Sequence, residues 1–329
     1  MRLALLALVA LGLSPGTWCR SPPTPPNNAQ ELSFIPLAHA KGEIGPFTLT
    51  NAWELASPNS RFGGYSALLL LEDGRFIAGS DTGNVLIFTA PGRSGPAPVI
   101  GPFGARKDKD KHLSDLESLT MDPASGRIWA GFEGQNALQR MERDFTGVIS
   151  VRPPEMRNWA GNSGPEALAR LADGRFVVLA EGNSSWRDQT HRALLYPSDP
   201  AAGAEPLPFR FLAPDGFDPV DMKQLPDGRV LVLLRRLRIS LSPGFESALL
   251  LLDPAAIAEG KLWTGDLLAE LDGPFPPENY EGLVVEPLES GKLALWLIAD
   301  DNTGQFQRSL LVRLEWTPPA IETGDPAGK

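Results

Sequence analysis

Short apolar runs, each only long enough for a strand, recur along this chain in pairs joined by a turn of the type Asp-Gly-Arg. The paired unit occurs five times: GGYSALLLLEDGRFIAGSD from Gly63, SDLESLTMDPASGRIWAGFEG from Ser114, SGPEALARLADGRFVVLAEG from Ser163, DPVDMKQLPDGRVLVLLRR from Asp218 and NYEGLVVEPLESGKLALWLIADD from Asn279. Asp-Gly between apolar runs is the strongest short-range hairpin signal, and it predicts a type I′ turn with both central residues at positive φ. Asp73, Asp173 and Asp227 are therefore turn residues, outside any site. A third strand-like run follows each hairpin, at 84–88, 137–141, 193–196, 247–252 and 310–316, and fourth strands are expected in 147–151 and 208–213.

A hairpin of this size cannot bury both of its faces alone, so the repeats must stack. Short antiparallel units stacked radially make a β-propeller, an all-β fold. Roughly 300 residues at about 50 per blade predict six blades, with five as the alternative. The sixth blade would combine residues 32–37 and 47–55 with chain from the C-terminal end, closing the ring and hiding its edges.

Composition agrees with an all-β chain, since 33 Gly and 32 Pro among 329 residues exclude a helical bundle. The formal charge of −10 repels phosphate backbones and anionic lipid, which argues against nucleic acid and favours a divalent cation as partner. Met1-Arg2 followed by an apolar run from Leu3 to Leu13 reads as a secretory signal, too short to span a bilayer. Cleavage is expected after Cys19, with a Pro-rich spacer over 20–31, a single propeller domain over 32–318 and a polar tail over 319–329. A lipoprotein reading of Cys19 is disfavoured by the bulky Trp18 before it. The expected location is therefore periplasmic or secreted, with no membrane span. Cleavage there removes the chain's one cysteine, and with it disulfides and thiolate chemistry.

Acids fall at repeated places. Four of the five first strands begin with one, Glu117, Glu166, Asp221 and Glu281, while Ser66 takes that place in the first copy. Second strands end with Asp81, Glu133, Glu181 and the pair Asp300-Asp301. In a propeller the first strands line the central channel, so these positions form rings about one axis. Converging carboxylates repel unless a cation sits among them, and hard oxygen donors suit Ca²⁺ rather than zinc. The three histidines, His39, His112 and His191, have no metal spacing and no nucleophile elbow near them, which excludes a Ser-His-Asp hydrolase. No Gly-rich phosphate loop occurs, so no nucleotide cofactor is expected.

The order of Arg61-Phe62-Gly63-Gly64-Tyr65-Ser66, Asp115-Leu116-Glu117-Ser118-Leu119, Asn162 through Leu168, Arg235-Arg236, Asn279-Tyr280-Glu281-Gly282-Leu283, Asp300-Asp301-Asn302 and Gln307-Arg308-Ser309-Leu310-Leu311 resembles the phytase-like domain family, described as esterase-like activity of phytase. The resemblance implies a six-bladed propeller and calcium-assisted hydrolysis of a phosphoester. It places Glu117, Glu166, Glu281 and Asp300 at the channel mouth, with Arg235 and Arg308 meeting a small phosphorylated substrate and a metal-bound water as attacking group. Leu234 stands where the family often has an acid, and Pro165 interrupts the Asn-x-Gly-x-Glu phrase. The competing expectation is a propeller that binds an envelope protein or glycan and catalyses nothing, with Trp159, Trp186 and Trp263 as contacts. Trp129 and Trp296 fall in strands and are expected in the core. A closed acidic ring needs no partner to stay soluble, so a monomer is expected.

Overall fold

A computed structural model describes residues 25–104, 115–160, 163–185, 188–238, 244–302, 304 and 307–320. The expected signal segment and Cys19, Asn162, Trp186, His112 and the charged run before it lie outside the described residues. Within them the apolar runs are strands. N-terminal strands β1 (Ser33–Pro36), β2 (Gly42–Ile44) and β3 (Phe47–Ala56) precede the first repeat. That repeat forms β4 (Tyr65–Leu70), β5 (Arg75–Ser80), β6 (Asn84–Thr89) and β7 (Val99–Pro102). The second forms β8 (Leu116–Met121), β9 (Ile128–Phe132), β10 (Ala137–Met141) and β11 (Ile149–Val151). Strands β12 (Pro165–Arg170), β13 (Phe176–Ser185), β14 (Asp188–Tyr196) and β15 (Leu207–Leu212) follow from the third. The fourth supplies β16 (Asp218–Gln224), β17 (Val230–Arg238) and β18 (Gly244–Leu252), after which come β19 (Leu262–Trp263) and β20 (Asp266–Leu271). Last are β21 (Asn279–Pro287), β22 (Leu293–Asp300) and β23 (Leu310–Trp316).

Among the described residues these strands build five blades, the stated alternative to six, with antiparallel pairing except where β19 joins β15 in parallel. The predicted partnership of the two chain ends is real, because β3 pairs with β23 from Trp316↔Phe47 to Leu310↔Glu54, and β1 pairs with β3. Its effect differs from the expectation. The fifth repeat stops at three strands, and β3 becomes the outer strand that repeat lacks instead of founding a further blade. Dividing length by repeat size overcounted because the N-terminal segment completes a blade that already exists.

First strands of successive blades pack side by side, β4 on β8, β8 on β12, β12 on β16, β16 on β21, and β21 back on β4. That closes the ring and makes them the channel lining. The apolar core divides accordingly into five clusters, one at each blade-to-blade contact. Trp129 and Phe176 meet between the second and third blades, and Phe76 and Trp296 between the first and fifth. Trp159 and Trp263 are buried, so neither is a surface contact.

The hairpin turns demand less than the expected type I′ turn, because only the glycine takes a positive φ. Gly74 is at φ 79°, whereas no Asp of these turns is at positive φ. Gly74 N–H donates to Leu71 O and Leu71 N–H to Arg75 O, the pattern of a type I turn followed by a left-handed glycine. The Asp73 carboxylate accepts from Arg75 N–H and pairs with the Arg75 guanidinium, and Asp173/Arg175 and Asp227/Arg229 repeat the arrangement. The aspartates lie in the turns as expected, but they serve by tying the turn through their carboxylates and not by taking the left-handed backbone of a type I′ turn.

Candidate metal centre

Every inner strand carries a register irregularity at its first turn of chain. The residues skipped in the pairing are Ser66, Glu117, Glu166, Val220 and Glu281. A bulge adds one residue to one strand and re-aims its side chain, and here it turns that residue toward the axis at one end of the channel. Glu117, Glu166 and Glu281 are 8%, 6% and 8% exposed. The second strands end at the same level and bring Asp81, Glu133, Glu181 and Asp300 beside them.

Glycine makes the space. At Gly64, with φ +70°, a Cβ would lie 2.2 Å from Asp81 Oδ1, and at Gly63 2.8 Å from Asp301 Oδ2. Gly64 N–H donates to Asp301 Oδ1 at 3.0 Å, and Ser309 Oγ donates to Asp301 Oδ2 at 2.8 Å. At Gly164 a Cβ would meet Glu133 Cα at 2.4 Å. The Arg-Phe-Gly-Gly phrase and the Gly before Pro165 therefore exist so that neighbouring acids can approach the backbone.

Two groups of carboxylates have oxygens within 4.8 Å of one another: Asp115, Glu117 and Glu133, and Glu133, Glu166 and Glu181. They share Glu133. Electrostatics follow from the crowding. Glu117 and Glu166 are pushed well above the usual carboxylate range, first by burial and then by neighbouring acids, Glu166 beside Glu117 and Glu181 beside Glu166. Asp300 is raised in the same way by burial and by Glu281 and Asp81. Burial, then Asp115 and Glu181, take Glu133 to about 7, while burial and Glu281 take Asp81 to about 6. Burial also raises Glu281, against the opposing effect of Arg235.

Arg235 is lodged among these acids. Its Nη1 pairs with Glu281 and donates to Asn279 Oδ1 at 2.8 Å, and its Nη2 pairs with Glu181. Burial works against the guanidinium's charge, but Glu281, Glu181 and Glu166 outweigh it and raise its pKa. Arg308 lies elsewhere, paired with Glu278 at 2.9 Å and 4.0 Å from Glu54. The expected pair of substrate arginines is thus one arginine in the site and one outside it.

Asp221 also departs from its expected place. In the fourth blade the bulged residue is Val220, so Asp221 sits one position farther along, aligned with Ala67, Ser118, Ala167 and Gly282 of the other blades. A shift of one residue turns a strand side chain to the other side. Asp221 is fully buried and faces the adjoining inner strands instead. Its Oδ1 accepts from Met222 N–H and from Lys223 Nζ at 2.6 Å, and its Oδ2 from Leu283 N–H at 2.7 Å. Lys223 Nζ goes on to Leu119 O at 3.2 Å. With its oxygens taken by protein donors, Asp221 stitches β16 to β21 and is not a member of the acid rings. Beyond this stitch the opposite channel mouth opens on a cavity of about 420 Å³ lined by residues such as Leu69, Met121, Arg170, Leu225 and Val284, away from the acids.

Two residues of the centre went unassigned in sequence reading, Asp115 and Asp218. Asp218 lies near Glu181 and Arg235 and is raised to about 6 by burial and then by Glu181. A signal existed: two residues before each bulge stand Gly64, Asp115, Gly164, Asp218 and Asn279, either an acid or amide, or a glycine that admits a neighbouring acid, Asp81 at Gly64 and Glu133 at Gly164.

The family model of phytase-like proteins, described as esterase-like activity of phytase, matches residues 60–303. The chain belongs to this family. This phytase-like chain matches no curated protein by sequence. Among solved structures it is similar to a luciferin-regenerating enzyme, at 13% identity over 88% of this chain and 99% of that one, TM-score 0.46. It is similar to regucalcin of Agrobacterium tumefaciens, a calcium-binding protein, at 12% identity over 88% and 94% of the two chains, TM-score 0.45. A glucose dehydrogenase matches at 13% identity over 82% of this chain and all of its own 100%, TM-score 0.46. The blade count rests on the strand pairing of this phytase-like chain itself. Among the described residues no helix is long and apolar enough to cross a membrane.

Proposed function

We propose that this phytase-like propeller is an exported, calcium-dependent phosphoric ester hydrolase whose centre is the acid end of its channel. The observation that carries the reading is the pair of carboxylate groups sharing Glu133. An all-oxygen, all-carboxylate donor set fits Ca²⁺, and Asp115, Glu117, Glu133, Glu166 and Glu181 would hold it. Asp81, Glu281, Asp300 and Asp301 line the remainder of the same end. Calcium bound there would offset the carboxylate charge, attract a phosphate and make a neighbouring water more acidic. The chain's own groups do the rest. Arg235, paired with Glu181 and Glu281 while the cation is absent, supplies the guanidinium that can orient a phosphate oxygen. Asp218 belongs to neither carboxylate group, and its carboxyl, which exchanges its proton near pH 6, is suited to passing one to a leaving oxygen. Glu117, Glu166, Glu181, Asp218, Arg235 and Glu281 stand on strands, and Asp115 and Glu133 lie directly beside strand ends.

One observation favours the second reading, a binding module without catalysis: Arg235 is committed to acids and Arg308 lies outside the centre. Calorimetric titration of calcium into the chelator-treated chain, with a thermal melt and a screen of small phosphomonoesters, separates the two. Calcium binding, an upward shift in melting temperature and calcium-dependent phosphate release support the hydrolase. Calcium binding with no release on any ester supports the binding module, and no calcium binding overturns the metal reading itself.

A further inference from the structure

Glu181 is drawn on twice. It belongs with Glu133 and Glu166 to one of the carboxylate groups, and it is ion-paired to Arg235. Arg235 is in turn anchored by Glu281 and Asn279 of the adjoining fifth blade, with the Phe245 ring centred 5.5 Å from the guanidinium carbon. A second feature points at the same space without being an acid. Ser66, 2% exposed and occupying the bulge position of the first blade, lies against Glu281, and its hydroxyl opposes the rise in that carboxyl's pKa.

A divalent cation at Glu133, Glu166 and Glu181 and the Arg235 guanidinium compete for one carboxylate, and like charges this close repel. Before the cation arrives, Arg235 is neutralised by Glu181 and Glu281 and stands in a field of carboxylates that repels anions. We propose that Arg235 is the resident counter-cation of the centre, displaced from Glu181 by calcium and turned to an incoming phosphate, so that calcium and phosphate bind with positive coupling. This deepens the calcium reading above and rests on it. Arg235 then acts as a positioning residue that couples two ligands. By linkage, phosphate must tighten calcium by the same factor that calcium tightens phosphate.

The test is calcium titration by calorimetry into the chelator-treated full chain at pH 8, with and without inorganic phosphate. In the native sequence phosphate should tighten calcium on the order of tenfold. In Arg235→Gln, calcium alone should bind more tightly than in the native chain, because a competing cation is gone, and the phosphate enhancement should fall below about twofold. Arg235→Lys, which keeps the charge but reaches fewer partners at once, should lie between them and carries the comparison if the glutamine variant does not fold. Calcium binding that is no tighter in Arg235→Gln, or an enhancement that survives in it, overturns the coupling while leaving the calcium centre standing. Absence of calcium binding in the native chain overturns both.

Discussion

Two sets of buried acids, neighbours along the same channel, behave in opposite ways. At the axis end Glu117, Glu166 and Glu281 stand on bulges, surrounded by further carboxylates and by Arg235. One residue past the bulge of its own strand, Asp221 is equally buried, yet Met222 N–H, Leu283 N–H and the Lys223 ammonium satisfy it. Burial alone pushes Asp221 up, and these donors hold the rise to about 6. Burial pushes Glu117 and Glu166 up as well, and there the neighbouring acids add to the rise and carry both well above their ordinary value. Burial by itself therefore does not distinguish a ligand from a stitch. What distinguishes them is whether protein donors already occupy the oxygens.

The comparison is broken most severely at the stitch. Asp221→Ala leaves the Lys223 ammonium in the channel with only Leu119 O, and removing one partner of a buried pair costs about 3–5 kcal/mol. Urea denaturation should show a loss of that order, while the calcium stoichiometry of any variant that folds stays unchanged. A smaller, sign-reversed effect is expected at the axis. Glu166→Gln removes a charge that others oppose, so the calcium-free protein at pH 8 should be no less stable, and gain up to about 1 kcal/mol, while its calcium-dependent thermal shift shrinks.

The pH dependence sharpens the same contrast. Folded values of about 6 for Asp81 and about 7 for Glu133 lie above the unfolded 3.8 and 4.5. The native chain thus binds more protons than the unfolded one between these limits. Stability of the calcium-free protein is fully present below about pH 4 as far as these groups are concerned, and is lost as pH rises through 6 and 7. Saturating calcium should reverse that slope, and calorimetry in two buffers of different ionisation enthalpy should register protons released on binding. The smallest effect belongs to the turns. Asp73→Ala removes a partly exposed pair and one turn hydrogen bond, for a loss of about 0.5–1 kcal/mol in denaturation and none in calcium binding.

Much of the architecture was legible in the residues because its rules are local. Five Gly-containing turns between apolar runs announce five hairpins, and a glycine at positive φ is needed whatever surrounds it. The rows of acids at strand ends were legible for the same reason, as were β11 and β15 between the repeats. The blade count was not, because it depended on where β3 docks, and a strand's partner is a property of the closed ring. Nor was the exclusion of Asp221. Its strand carries an acid near the start as three of the others do, and only the pairing of β16 with β17 shows that the bulge falls on Val220.

By itself, then, the sequence determined an all-β repeat with hairpins of known place and acids at one end of each blade, since turn chemistry and strand alternation act within a few residues. Tertiary structure decided that five blades close the ring, that Asp115 and Asp218 join the centre while Asp221 leaves it, and that Arg235 enters it without Arg308. Those outcomes turn on a one-residue register shift and on packing between strands far apart in the chain, where a single added residue reverses which way a side chain faces.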